Sequence, residues 1–405
     1  MSAPTRRLPA SRPAASSRRF GALAATAGLL ALPALAGCTD NTAATDDAAA
    51  DPRALAVQAT DTACTVSATT APSGKLTFSV TNGGSKVTEF YLLAGDGLRI
   101  VGEVENIGPG ISRDLVLSAP PGDYFTACKP GMIGDGIRAP FVVSDSGTDT
   151  APEGDIAALV EAADRNYASY VKDQTEQLVS GTEQFVAAYK AGDDDTAREL
   201  YAPTRVHWER IETVAESFGD LDPKMDIREA DLTDGQRFTG WHRLEKDLWP
   251  QRADDYTPLT SKQRATYAND LMTNTNTLYD RVRTLTFTAD QIANGSRGLL
   301  DEVATGKVTG EEEYWSRTDL WDFQANVDGA RVGFEGLRPI LAKQDAALDT
   351  EIDTRFTALQ ALLDQHKVGD GFKTYDQLSR AEVKDLSDAV NALSEPLSKL
   401  AAAVV

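Results

Sequence analysis

The stretch Phe238-Thr-Gly-Trp-His-Arg-Leu-Glu-Lys-Asp-Leu-Trp249 decides how the second half of this chain folds, because its apolar residues recur with a helical period. His242 and Glu245 stand one helical turn apart and therefore share a face. Carboxylates and an imidazole are ligands that hard to borderline metal ions accept. The chain holds only three histidines, so a histidine at this spacing indicates a metal site.

A second helical stretch just before this one adds a row of acidic residues. An α-helix turns about 100° per residue, so Glu209, Glu212 and Glu216 lie within about 60° of one another. Gly219 then predicts that the helix stops and that the chain turns back, which brings residues 238–249 to face the acidic row. Facing helices that each contribute carboxylates build iron and manganese sites in bundles. The alternative is an ordinary solvated face with arginines as ion-pair partners.

The helical period extends from Pro152 to the C-terminus and predicts an all-α bundle over residues 153–405. One face of the first helix carries Ile156, Leu159, Val160, Ala163, Tyr167 and Tyr170. Similar stripes recur at 206–218, 238–248, 261–285, 289–303, 312–341, 346–363 and 381–400. Stop signals stand at Gly192, Gly219, Pro250 and Gly306.

Residues 61–144 have the period of strands instead. Leu76, Phe78 and Val80 alternate with polar residues, and a turn follows at Asn82-Gly83-Gly84. Further short strands are predicted at 90–93, 98–104, 115–117, 124–127 and 141–143. This pattern predicts a small antiparallel β-sandwich. The polar segment 145–152 is predicted to link it to the helical bundle, so that the fold class is multidomain α and β.

The N-terminus is typical of an exported protein. Arginines precede an apolar stretch at 20–35, and Leu35-Ala-Gly-Cys38 resembles a bacterial lipobox. Residues 1–37 are therefore predicted to be a signal peptide, Cys38 to carry lipid, and residues 38–60 to form a flexible tether. The protein would face the periplasm or the cell exterior from a membrane anchor. An uncleaved anchor is the alternative, and Arg18-Arg19 leaves the export route open.

The formal net charge of −21 argues against a nucleic-acid partner, which requires basic surfaces. Removing residues 1–37, which hold five arginines and no acids, makes the charge −26. Such a surface suits cations or basic partners better. Export also places the two remaining cysteines in an oxidising compartment, where a disulfide is permitted.

Two longer strings, 216–232 and 238–249, resemble the imelysin-type helical domain of the EfeO family of iron-uptake lipoproteins. The segments 103–110 and 124–131 resemble the cupredoxin-like N-terminal domain of the same family. The resemblance covers nearly everything after the tether. It implies that this chain collects iron, ferrous or ferric, and hands it to the iron permease of an EfeUOB-type system. It also implies a haem peroxidase as a further partner.

The resemblance further implies which residues hold the metal. Its Gly-x-His-x-x-Glu motif corresponds to Gly240, His242 and Glu245, and upstream acids complete the site. By position these acids are Glu212 and Asp226, with Glu209 and Glu216 as alternates. Copper and zinc ions also accept such ligands, so the residues alone do not select the metal. One departure is Trp208, where the family pattern leads us to expect tyrosine; His207 and His366 are predicted to lie on the surface.

The predicted β-sandwich has no histidine and so cannot be an ordinary blue-copper electron carrier, which needs two. The resemblance implies a distinct second metal site there, for which Cys64, Glu89 and Cys128 are the candidates. A disulfide between the two cysteines is the alternative. The only enzymatic role that the family suggests is assistance to the oxidation of ferrous iron by this domain.

Two rival functions remain. A polysaccharide-binding or interaction lipoprotein would use its acids for solubility and its tryptophans to line a sugar groove, at Trp241, Trp249, Trp315 and Trp321. A metal-dependent peptidase would need a motif such as His-Glu-x-x-His, which this sequence lacks.

Overall fold

The computed structural model describes residues 51–97, 100–134, 136–147, 154–233 and 235–405. Two β-sheets packed face to face come first and a helical bundle follows, which confirms the predicted fold class. The predicted signal peptide and the predicted lipidation site at Cys38 lie outside the described residues. Among the helices of the described ranges, each is too short or too polar to cross a lipid bilayer.

The β-sandwich has a four-stranded and a five-stranded sheet. Its strands are β1 (Ala54–Ala59), β2 (Cys64–Val66), β3 (Thr70–Pro72), β4 (Gly74–Asn82), β5 (Thr88–Ala94), β6 (Ile100–Ile107), β7 (Ser112–Ala119), β8 (Gly122–Cys128) and β9 (Ile137–Ser144). The strand orders are β2-β1-β4-β7 and β3-β9-β8-β5-β6. Between the sheets, the ring centroid of Phe78 lies 5.2 Å from that of Phe90 and 5.5 Å from that of Phe141. The alternating residues of β4 thus form the core, as predicted.

The structure corrects two predictions about this region. The sheets are mixed, because β1 runs parallel to β4 and β3 runs parallel to β9. In addition, β1 lies inside the segment predicted to be a flexible tether up to residue 60. Its Leu55, Val57 and Ala59 are buried and alternate with exposed residues, as in a half-buried strand. The segment is a strand because these three apolar side chains complete the core.

The two cysteines of the sandwich form a disulfide that joins β2 to β8, and hence one sheet to the other. This corrects the second metal site predicted from Cys64, Glu89 and Cys128, since bonded sulfurs are not thiolate ligands. The strand period gives a further reason. Cys128 is paired with Phe90 and points into the core, whereas Glu89 lies on the other face, where its carboxylate accepts a hydrogen bond from Tyr91.

The helical bundle is built from helices of very different lengths. They are α1 (Gly154–Ala191), α2 (Asp194–Glu209), α3 (Asp222–Met225), α4 (Trp241–Leu248), α5 (Ser261–Val282), α6 (Ala289–Thr305), α7 (Asp319–Gln344), α8 (Ala346–Leu363), α9 (Arg380–Leu397) and α10 (Leu400–Val404). A short hairpin follows α8, and its strands, β10 (Lys367–Val368) and β11 (Gly371–Phe372), have two residues each. The helix α1 packs against α2, α5 and α7, while α8 packs against α9. As predicted, Gly192 ends α1, with a φ of +77°.

The sandwich and the bundle meet where α6 lies against β6 and β7. The side chain of Asn294 donates a hydrogen bond to the carbonyl oxygen of Val116 at 2.7 Å. The backbone N–H of Ser118 donates to Asp290 at 3.0 Å. These contacts place the neighbouring strand β6, which carries Glu103 and Glu105, beside the acidic residues of the bundle.

Candidate metal centre

The motif Gly-Trp-His-Arg-Leu-Glu begins the short helix α4, and its glycine allows α4 to start tightly against α3. Gly240 has a φ of +81°, a conformation that residues with a Cβ rarely adopt. A Cβ on Gly240 would lie 2.0 Å from the carbonyl oxygen of Met225, the last residue of α3. The glycine therefore brings His242, near the start of α4, next to Asp226, the residue that follows α3.

The imidazole of His242 is fully buried and has carboxylates at both nitrogens. Nε2 lies 3.4 Å from Oδ1 of Asp226 and 3.5 Å from Oε1 of Glu312. Within the described ranges, this nitrogen has no hydrogen-bond partner of normal geometry. One ligand atom from each of the three side chains lies within 4.8 Å of the others. Asp226, His242 and Glu312 can therefore hold one metal ion between two oxygens and a ring nitrogen.

Glu245 holds the other side of the imidazole. Its Oε2 lies 3.2 Å from Nδ1 of His242, and its Oε1 accepts hydrogen bonds from the backbone N–H groups of Trp315 and Ser316 at 2.8 and 2.6 Å. A carboxylate at one imidazole nitrogen fixes the tautomer and leaves the other nitrogen for a metal. The arrangement places Glu245 as the residue that orients His242. A second set of ligand atoms, from His242, Glu245 and Glu313, also lies within 4.8 Å.

Glu312 is the acid at this centre that sequence reasoning missed. The helical stripe at 312–341 predicts a helix that already includes it, but α7 begins only at Asp319. The loop before α7 carries Glu312 to His242 across a large sequence separation. The signal in the sequence is the run Glu311-Glu312-Glu313, three consecutive acids that a simple amphipathic helix does not require.

The three acids predicted to form one ridge do not share a helix. The helix α2 ends at Glu209, and a 3₁₀ segment, Glu212–Leu221, follows, with Val214 outside helical conformation. Glu209 and Glu212 both bind Lys307, with their oxygens 2.7 and 2.6 Å from its Nζ. Glu216 instead lies against Glu103 of β6, and burial raises the pKa of both carboxyl groups. The structure thus brings two of the three acids to the edge of the centre and leaves Glu216 apart.

Asp226 is held in place by two residues of α2. The guanidinium of Arg205, itself fully buried, forms an ion pair with Asp226 and another with Glu209. The indole N–H of Trp208 donates a hydrogen bond to Oδ2 of Asp226 at 2.7 Å. At the position where the family pattern suggests a tyrosine, this chain therefore has an indole that orients a candidate ligand.

Electrostatics make the centre receptive to a cation. Burial and the charge of Arg205 oppose protonation of His242, but its contacts with Glu245, Glu312 and Asp226 raise its pKa to about 10. The pKa of Asp226 is lowered despite its burial, because Arg205 and His242 are positively charged. The pKa of Glu312 is lowered in the same way, chiefly by Lys307 and His242. A proton therefore occupies His242 between two ionised carboxylates, where a metal ion could replace it.

A cavity of about 470 Å³ adjoins Asp226 and Glu312. Its walls include further carboxylates, among them Glu105, Asp222 and Glu302, and these three also line a neighbouring cavity of about 520 Å³. Burial and nearby acids raise the pKa of Asp222 and of Glu302 to about 7. Acid-lined clefts raise the local concentration of cations, so this space is suited to supply cations to the centre.

The other two histidines lie apart from the centre. His207 is half-buried, and its Nδ1 lies 2.9 Å from the amide oxygen of Gln174. Burial lowers its pKa to about 4. His366, predicted to be a surface residue, is instead 5% exposed and has Glu382 at 3.8 Å. It lies between the end of α8 and β10, and its carbonyl oxygen accepts a hydrogen bond from the backbone N–H of Lys373.

The tryptophans do not form an exposed sugar-binding surface. Trp241 is fully buried and packs on Phe185, and Trp315 is 5% exposed. Trp249 and Trp321 are half-buried in separate contacts, with Tyr201 and Phe372 respectively. Two of the four rings that the polysaccharide-binding alternative requires are therefore buried, and the other two pack in separate places.

Comparison with known proteins agrees with this architecture. Residues 163–400 match the model of the imelysin family, and residues 28–143 match that of the cupredoxin-like domain. Over 355 residues the chain is 38% identical to the iron uptake system component EfeO of Escherichia coli K12, covering 87% of this chain and 92% of that protein. The EfeO proteins of Escherichia coli O157:H7 and Shigella flexneri match at the same identity and coverage. The chain therefore belongs to the EfeO family of iron uptake system components, with a cupredoxin-like domain followed by an imelysin domain.

Proposed function

We propose that this protein captures iron outside the cytoplasmic membrane at a centre formed by Asp226, His242 and Glu312. The observation that carries the proposal is the buried Nε2 of His242, which faces one oxygen of each acid and has no hydrogen-bond partner among the residues that the structure describes. Ferrous and ferric iron both accept such ligands. The name of the relatives, iron uptake system component, supports iron as the ion rather than copper or zinc.

Capture and release both require that the ion reach the centre. The adjoining acidic cavity supplies a space from which a cation can approach Asp226 and Glu312. Basic side chains nearby, Lys307 and Arg205, keep the carboxylates from binding an ion irreversibly, because they compete for the same oxygens. These features suit a protein that delivers its ion better than one that retains a permanent cofactor.

Metal titration of the purified protein tests the site. Calorimetry with ferrous iron under anaerobic conditions should show binding that His242→Ala abolishes and Glu312→Gln weakens strongly. His366→Ala is the matched control, because it removes another buried histidine beside a glutamate without touching the centre. Iron affinity that is unchanged in His242→Ala would remove this centre from the function.

Delivery completes the proposal. We propose that the protein is exported, lipid-anchored through Cys38, and passes iron to a permease, with a haem peroxidase as a further partner. In cells that depend on this uptake system, His242→Ala should fail to restore growth under iron limitation. Cys38→Ala should leave the protein out of the membrane fraction while iron binding in vitro stays intact. Full growth with His242→Ala would contradict a role of the centre in delivery.

A further inference from the structure

Lys307 lies beside the centre as a buried cation. It is 4% exposed, and its Nζ is 2.7 Å from Oε2 of Glu209 and 2.6 Å from Oε2 of Glu212. Oε1 of Glu312 lies 4.0 Å away. An ammonium group surrounded by three carboxylates occupies the kind of position that a metal ion would otherwise take.

The turn that carries Lys307 is fixed by its surroundings. The hydroxyl of Tyr375 donates a hydrogen bond to the carbonyl oxygen of Val308. Gly310 ends the turn with a φ of +76°, and a Cβ there would lie 2.4 Å from the ring of Tyr375. The backbone of Lys307 is therefore held between α6 and this ring, and its side chain is directed to the two acids by the fold.

A buried amide completes the surroundings of the ammonium group. The side-chain N–H₂ of Asn326 donates to Oε2 of Glu209 at 3.0 Å and to Oε2 of Glu212 at 2.9 Å. Its own oxygen, Oδ1, is buried and has no hydrogen-bond partner in the part of the chain that the structure describes. While Lys307 is in place, Oε2 of Glu209 and Oε2 of Glu212 are thus engaged by donors and are not free to bind metal.

We propose that Lys307 limits the centre to one metal ion by occupying a second cation position formed by Glu209, Glu212 and Glu312. This inference rests on the proposed function, since it takes the first ion to bind at His242. Glu312 is shared, because its Oε1 faces both Nε2 of His242 and Nζ of Lys307. Carboxylates that face two cation positions are the usual frame of two-ion sites. In this chain one of the two cations is a lysine.

The number of bound manganese ions tests the proposal. Mn²⁺ is a suitable probe because it accepts oxygen and imidazole ligands and is visible by electron paramagnetic resonance. Equilibrium dialysis should give one Mn²⁺ that depends on His242 in the wild-type chain and two in Lys307→Gln. The spectrum of Lys307→Gln should be broadened, because two ions that share Glu312 are magnetically coupled.

Two further variants keep the test decisive. Lys307→Met removes the same charge with an apolar side chain of similar length and should also bind two ions, should the Gln variant fold poorly. The double variant Lys307→Gln with Glu212→Gln removes one acid of the second position and should return to one ion. A single uncoupled Mn²⁺ in both Lys307 variants would overturn the proposal. Absence of His242-dependent binding in the wild-type chain would instead overturn the proposed function.

Discussion

Glu245 and His242 form a buried pair, with Oε2 of the carboxylate 3.2 Å from Nδ1 of the imidazole, and the other carboxylate oxygen is bound by two backbone N–H groups. The pair leaves Nε2 of His242 directed to Asp226 and Glu312. Because the loop before α7 provides the two N–H donors, Glu245 connects the position of His242 to the loop that supplies Glu312.

Glu245→Gln should therefore weaken metal binding without removing a ligand. Glutamine keeps the shape of the carboxylate but loses its charge. Its oxygen can still accept from the two backbone N–H groups, but its –NH₂ group cannot accept a hydrogen bond from Nδ1 of His242. Losing such a supporting carboxylate typically costs about 10–100-fold in metal affinity, and we expect a loss in this range for Mn²⁺ by calorimetry. Glu382→Gln, beside His366, is the matched control and should leave the affinity unchanged. An unchanged affinity in Glu245→Gln would show that Glu245 does not support the centre.

The sequence predicted this pair because both residues belong to one short helix. A spacing of three residues places them on one face whatever the rest of the fold does. Lys307 and Glu312 could not be found in this way, since they come from loops whose positions depend on tertiary packing. The prediction that Glu209, Glu212 and Glu216 form one ridge is wrong for a related reason. The helix ends at Glu209, and hydrophobic periodicity does not locate the ends of helices accurately.

The fold itself was more accessible to prediction than the site. Long stripes such as that of α1 and the alternation in β4 persist over many residues, so that their period is unambiguous. The strand β1 was missed because Ala54–Ala59 continues an alanine-rich segment with little β-propensity. Its place between β2 and β4 comes from the sheet that it completes.

The disulfide between Cys64 and Cys128 should stabilise the sandwich without affecting the metal centre. It closes a span of 64 residues, and removing a link of this size costs about 4 kcal/mol in the free energy of unfolding. The variant with both cysteines replaced by serine should unfold at lower denaturant and keep the wild-type Mn²⁺ affinity. Thiol titration of the denatured wild-type protein should detect no thiol from this pair. A lost metal ion in the serine variant would restore the cysteines as ligands.

Trp208 should contribute to metal affinity through Asp226. Trp208→Phe keeps a buried ring but removes the N–H that donates to Oδ2 of Asp226 at 2.7 Å. Because Arg205 still binds Asp226, we expect a loss of affinity of about tenfold, at the low end for residues that orient ligands. Trp321→Phe is the matched control, since this ring packs on Phe372. Equal Mn²⁺ affinities in the two variants would contradict the role of the indole N–H.

Metal binding should strengthen as the pH rises from 6 to 8. The pKa of His242 is raised to about 10, so its ring carries a proton throughout this range in the metal-free protein, and an ion must displace that proton. The pKa values of Asp226 and Glu312 are lowered, so both acids are already ionised and release none. Release of one proton predicts an affinity for Mn²⁺ that rises about tenfold per pH unit.

The same protonation should appear in the stability of the metal-free protein, with the opposite sign. A folded-state pKa of about 10 against an ordinary value of 6.5 means that charged His242 stabilises the fold fully below pH 6.5. This contribution is lost as the pH rises toward 10, so the melting temperature should fall over that range, and less so in His242→Gln.

For metal binding, calorimetry in buffers of different ionisation enthalpy measures directly how many protons are released when Mn²⁺ binds. A Mn²⁺ affinity independent of pH between 6 and 8 would show that the imidazole is already neutral, and that the ion meets no competing proton at Nε2.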